Sequence, residues 1–150
     1  MGKDGISYNI IASNLHVINL EIKKILSGTV SFNIFLEDED KEINIYLKHG
    51  NNKKRAIELC SGAEKTVAAI AIRAALMSVT TLPVPNMIVF DEIFDALDPE
   101  NLEAVNKILQ NLKRLFEVIL IITHSDTVKE ICDSVIFIER DAKGYARIGG

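Results

Sequence analysis

Two apolar runs in this chain end in groups that can do chemistry: Val89-Phe90 leads into Asp91-Glu92, and Ile121-Ile122 leads into Thr123-His124. If the runs are neighbouring parallel strands, Asp91, Glu92 and His124 leave one sheet at the same carboxyl edge, where open α/β proteins bind their ligands. An acid pair with an imidazole there suits metal and phosphate chemistry. Asp91 can hold a magnesium ion directly or through water, while Glu92, beside the metal, can polarise an attacking water. An acid pair after a strand is equally a solvated turn; the matched position of His124 is what tilts the reading toward function. A second group is Ser61-Gly62-Ala63-Glu64-Lys65. Serine followed three residues later by glutamate is a capping box that starts a helix. Glycine beside the cap lets backbone N–H groups approach a ligand, and the positive end of the helix dipole favours a phosphate. Lys65 either adds positive charge there or is a solvated surface lysine.

The elements that must position these groups can be read from the periodicity. Tyr8, Ile11, Leu15, Ile18, Ile22 and Ile25 form one stripe at spacings of three and four. This is either a core-facing helix or the last turns of a coiled coil entering a globular head, the run being shorter than the roughly three to four heptads a coiled coil sustains. Gly28 ends it. Val30 to Leu36 and Ile43 to Leu47 alternate apolar with polar around an acidic turn, Glu37 to Asp40, and predict an antiparallel hairpin. After a polar turn at Gly50 to Lys54, a small-residue helix carries Val67, Ile70, Ala71, Ala74, Ala75 and Met77. Met87 to Phe90, Val118 to Ile122 and Val135 to Ile138 read as strands buried on both faces. Asp98-Pro99 opens a helix lined by Leu102, Val105, Ile108, Leu109 and Leu112, and Ser125 caps a short helix through Ile131. Strands alternating with helices predict a parallel, doubly covered sheet.

At 150 residues and 48% apolar composition the chain has material for one core. A net charge of -4 is not the footprint of a protein that binds nucleic acid over its whole surface, so any DNA contact must be local or made elsewhere. Cys60 and Cys132 lack paired CxxC spacing and read as reduced, buried thiols. No apolar run approaches the ~18 residues of a membrane span, and residues 1–7 lack a signal-peptide pattern, so an intracellular, soluble protein is expected.

In sequence order, Ser61 to Lys65, Ile88 to Glu92, Ala96-Leu97-Asp98 and Thr123-His124 resemble the signature, Walker B, D-loop and switch-histidine motifs of ABC-type ATPase heads, closest to those of SMC and SbcC-type DNA-repair ATPases. The resemblance spans Tyr8 to Ile148. It implies an α/β fold: the C-terminal lobe of a P-loop ATPase head, with a mostly parallel sheet, flanking helices, and an N-terminal helix plus antiparallel hairpin. The implied plan is a coiled-coil end at 8–26, a hairpin at 29–48 and the motif-bearing lobe at 59–148. By the same resemblance Asp91 orients magnesium, Glu92 activates water and His124 contacts the γ-phosphate. Ser61 and Gly62, with Ala63, Glu64 and Lys65, face ATP held by a second head, and Ala96, Leu97 and Asp98 form the D-loop across that dimer. Two departures are Ala63 in place of the second signature glycine and Cys60 where leucine is usual. No GxxxxGK[ST] stretch occurs, which implies that an N-terminal half, separated by a long coiled coil, brings the phosphate-gripping loop. The expected role is ATP-driven head dimerisation in DNA double-strand break repair with a nuclease partner, at no membrane. The alternatives are SMC-type chromosome organisation or a non-catalytic interaction module of the same fold.

Overall fold

The stripe at three-and-four spacing becomes helix α1, Ile6–Leu26, and buries as its spacing requires: Ile18, Ile22 and Ile25 are in the core, with Ile11 and Leu15 packed against it. A computed structural model describes residues 6–79, 85–94 and 102–149. Gly28, at φ +72°, takes the left-handed conformation that releases the chain from α1. Strands β1, Phe32–Glu39, and β2, Glu42–His49, then pair antiparallel. Their turn is Asp40-Lys41, both at positive φ (52° and 62°), so the turn is tighter and later than the expected Glu37 to Asp40. The acidic residues stay in the strand because each finds a partner. Lys54 binds Glu37 and Glu39 and lies 4.0 Å from the Tyr46 ring centroid, and the Tyr8 hydroxyl donates to Asp38 at 2.6 Å.

Asn19 fastens α1 to the hairpin: its Nδ2 donates to the Leu36 carbonyl at 2.9 Å and its Oδ1 accepts from the Leu36 N–H at 2.8 Å, satisfying both backbone groups. A short strand β3, Arg55–Ala56, extends the hairpin to three strands, and a 3-10 turn over Ile57–Leu59 leads to helix α2, Gly62–Ser78. The small residues of α2 bury as expected, with Val67, Ile70, Ala71, Ala74 and Ala75 in the core; Met77 is only half-buried. Helix α3, Leu102–Leu112, buries Val105, Ile108, Leu109 and Leu112, and Asn111 donates to the Ile25 carbonyl at 2.9 Å, tying α3 to the end of α1. The Asp98-Pro99 start expected for this helix lies outside the described residues.

Strands β4, Met87–Asp91, and β5, Val118–Ile122, form a parallel pair. The expectation of burial on both faces is half right. Ile88 and Phe90 join the core, Phe90 meeting Phe94 edge-on at 5.5 Å, whereas Met87, Val89, Val118, Leu120 and Ile122 alternate onto the opposite face and stay 43–50% exposed. The described residues leave that face half open to water.

The third apolar strand does not join them. Val135 to Phe137 lie outside any strand, and β6, Ile138–Arg140, pairs antiparallel with β7, Ala146–Ile148. A local turn decides this: Asp141 Oδ1 accepts the N–H groups of Lys143 and Tyr145, both at 2.9 Å, and Gly144 supplies φ +84°. Helix α4, Asp126–Lys129, is shorter than expected. Ser125 sits at its N-cap, but its hydroxyl pairs with Thr127 instead of capping the helix.

Candidate active site

Parallel pairing sets Asp91 opposite Ile122, so the residues that follow both strands emerge side by side. Glu92 continues the ladder one step, its N–H donating to the Ile122 carbonyl at 2.8 Å. At that step its backbone turns into the left-handed region, φ +52°, which a non-glycine residue occupies at a cost. The turn aims the Glu92 carboxylate at the neighbouring strand end. There His124 Nε2 lies 3.1 Å from Glu92 Oε1, a hydrogen bond that needs the proton on Nε2. All three side chains are exposed, with Glu92 at 60% and His124 at 84%. The strand ends thus bring Glu92 and His124 into contact, with Asp91 the residue before Glu92 at the same sheet edge.

No group of three or more candidate metal-ligating side chains forms among the described residues. Magnesium held with a nucleotide needs fewer, because it keeps water and phosphate oxygens and takes only one or two carboxylates. Asp91 fits that role. It is an exposed carboxylate at a strand end, with no hydrogen-bond or ion-pair partner among the described residues.

The second group starts α2. The capping box forms fully: the Glu64 N–H donates to Ser61 Oγ at 3.3 Å, and the Ser61 N–H to Glu64 Oε2 at 2.8 Å. Ser61, Gly62 and Lys65 are exposed. A methyl group on Gly62 would meet nothing within 4 Å, and its φ is not in the left-handed region. The described fold does not itself require this glycine. Ala63 is likewise not among the residues at positive φ, so alanine fits the second glycine position without strain. The helix start adjoins a shallow recess of about 320 Å³ lined in part by Ser61, Ala63, Arg55 and Phe32. Ala96, Leu97 and Asp98 lie outside the described residues.

Reading the sequence missed His49 and Arg55. His49 Nε2 lies 2.7 Å, and Arg55 Nη2 3.2 Å, from Glu64 Oε1. Burial pushes the Glu64 carboxyl up, but the Ser61 N–H, His49, the Ser61 hydroxyl and Arg55 together hold it below the usual carboxylate range. Cys60, just before the cap, is buried as expected, and burial raises its thiol pKa; Cys132 is only half-buried.

A family profile described as SbcC/RAD50-like, Walker B motif, matches residues 29–111, more than half of the chain. Among curated proteins, the uncharacterized protein R555 of Acanthamoeba polyphaga mimivirus is 30% identical over 99% of this chain and 12% of its own length. The SbcC component of the SbcCD nuclease of Deinococcus radiodurans is 31% identical over 60% of this chain and 10% of its own length. The chain thus spans about a tenth of these relatives. A solved SMC ATPase chain, from work on ATP-driven dimerisation and DNA-stimulated activation, superimposes with a TM-score of 0.75 at 20% identity, over 95% of this chain and 88% of that one. At that identity the likeness speaks for the fold.

Proposed function

The chain belongs to the SbcC/RAD50-like family, whose C-terminal head lobe it forms, and from that premise we propose that it is the catalytic-carboxylate side of an ATP-hydrolysing head. The observation that carries the reading is the Glu92–His124 contact at the edge where β4 ends in Asp91. Asp91 would hold magnesium, which when bound offsets the negative charge of the phosphates. Glu92 orients a water and takes its proton at the carboxylate. His124, poised on Glu92, presents its imidazole toward the terminal phosphate. On a second head, the exposed start of α2, with Ser61 and Gly62, meets that nucleotide from the other side; Lys65 adds charge beside it and Ala96, Leu97 and Asp98 form the D-loop.

Because the sequence has no GxxxxGK[ST] stretch, the loop that grips the phosphates has to come from a complementary half. The half-exposed apolar face of β4 and β5 supports that partner, since a contiguous apolar patch left at the surface marks a site of protein contact. Ile10, Val17 and Leu20, exposed on α1 at spacings of seven and three, support the coiled-coil reading of 8–26. Of the two DNA roles we take end processing with a nuclease partner in double-strand break repair as the first reading, in keeping with the SbcC/RAD50-like profile. The SMC likeness keeps chromosome organisation as the second reading.

The deciding experiment supplies the P-loop half and compares Glu92→Gln with the unaltered head. ATP turnover is expected to fall at least ~100-fold while ATP-dependent dimers persist. Unchanged turnover would mean a non-catalytic interaction module.

A further inference from the structure

The Glu64 carboxylate collects more donors than its place in the helix demands. A capping box needs one, the N-cap N–H, and Glu64 Oε2 has it from Ser61 at 2.8 Å. Oε1 takes two more, His49 Nε2 at 2.7 Å and Arg55 Nη2 at 3.2 Å, from β2 and β3. The hairpin holds both donors in place. Arg55 pairs with Leu47 in the β2–β3 ladder, and the His49 ring packs on Phe32 with centroids 5.3 Å apart. Only 14% of the Glu64 side chain is exposed, so water screens it weakly.

A carboxylate in the first turn steadies the helix dipole but repels any anion approaching the same helix start. An arginine on its other oxygen removes that conflict. We propose that His49 and Arg55 are positioning residues for the signature segment: both lock Glu64 to the hairpin and Arg55 offsets its charge, so that the start of α2 can accept the phosphates of a nucleotide held by another head. This rests on the two-headed ATP reading above.

The test uses heads assembled with the P-loop half and measures two quantities separately. One is the ATP concentration giving half-maximal dimerisation; the other is the ATP affinity of single heads, which the P-loop half sets. Arg55→Ala and His49→Ala are each expected to raise the first about five- to tenfold and leave the second unchanged. Glu64→Gln keeps the capping box and removes the charge, so in that background Arg55→Ala should cost less than about twofold. His49→Gln, which retains a donor, should recover most of the His49→Ala loss. Dimerisation at wild-type ATP concentrations in both alanine variants overturns the proposal. So does an Arg55→Ala effect undiminished beside Glu64→Gln, or a parallel fall in single-head affinity, which would mark general damage. Unaltered heads that do not dimerise with ATP overturn the two-headed reading itself, and this inference with it.

Discussion

His124 Nε2 and Glu92 Oε1 lie 3.1 Å apart across 32 residues of sequence, brought together by a register that sets Asp91 against Ile122. Both side chains are largely in solvent, where an ion pair contributes little to folding. Removing the imidazole should therefore separate stability from catalysis. His124→Ala is expected to shift the unfolding free energy by less than ~0.5 kcal/mol and to lower ATP turnover of the assembled head at least ~tenfold. Denaturant melts and steady-state turnover check the two halves; a large stability loss with normal turnover would assign the histidine to structure.

Glu92 itself holds its backbone at φ +52°. Glycine occupies that region without the steric cost that other residues meet. Glu92→Gly is expected to stabilise the fold by up to ~1 kcal/mol while abolishing turnover, the exchange of stability for activity typical of strained sites. A lower unfolding midpoint in this variant would show that the backbone there is not strained.

Ser61 carries two separable roles. Losing the cap in Ser61→Ala should cost about 1 kcal/mol of stability, seen in denaturant melts. Ser61→Arg adds bulk at an exposed helix start and should block ATP-induced head dimers in size-exclusion chromatography. Normal dimers from the arginine variant would remove the α2 start from the nucleotide interface.

Glu64 gives a pH signature of defined sign. Its carboxyl is held below the ordinary value of 4.5, so its contribution to stability is present above that pH and is lost as pH falls through the lower folded-state value. Acid unfolding below about pH 4.5 should be shallower in Glu64→Gln than in the unaltered chain. Parallel acid curves for the two proteins would show that the Ser61, His49 and Arg55 contacts do not hold the charged form.

The strand ends and the capping box were legible because each is a local pattern: an apolar run stopping at polar groups, a serine three residues before a glutamate. The helix stripe of α1 and the small-residue face of α2 were legible for the same reason, since their periods are fixed by backbone geometry. What failed were features set by neighbours. The runs at Met87 to Phe90 and Val118 to Ile122 carry hydrophobicity for two covered faces, yet the described residues leave one of them half open to water. Val135 to Ile138 looked like another such run, and the Asp141 turn sent its end into a hairpin instead. His49 and Arg55 reach Glu64 across 15 and 9 residues from a different element, and no spacing rule announces a contact of that kind. The Ala96 to Asp98 segment lies outside the described residues, so its D-loop assignment rests on resemblance.

The exposed face of β4 and β5 separates folding of this lobe from assembly of the head. Val89 and Leu120 stand at the same register step, Val89 47% and Leu120 43% exposed. A charge there costs the lone chain little, because both side chains already meet water. Once a complementary half covers the face, the same charge is buried without a partner, which is prohibitive unless the interface opens. Leu120→Lys should therefore leave the melting of the isolated chain within ~0.5 kcal/mol of the original and weaken its association with the P-loop half at least ~100-fold. Ile88→Lys, placed on the opposite and buried face, should instead unfold the lobe before any partner is added. Calorimetric titration of the P-loop half into each variant checks both outcomes, and undiminished association of Leu120→Lys would mean that the partner docks elsewhere and this face is covered by something else.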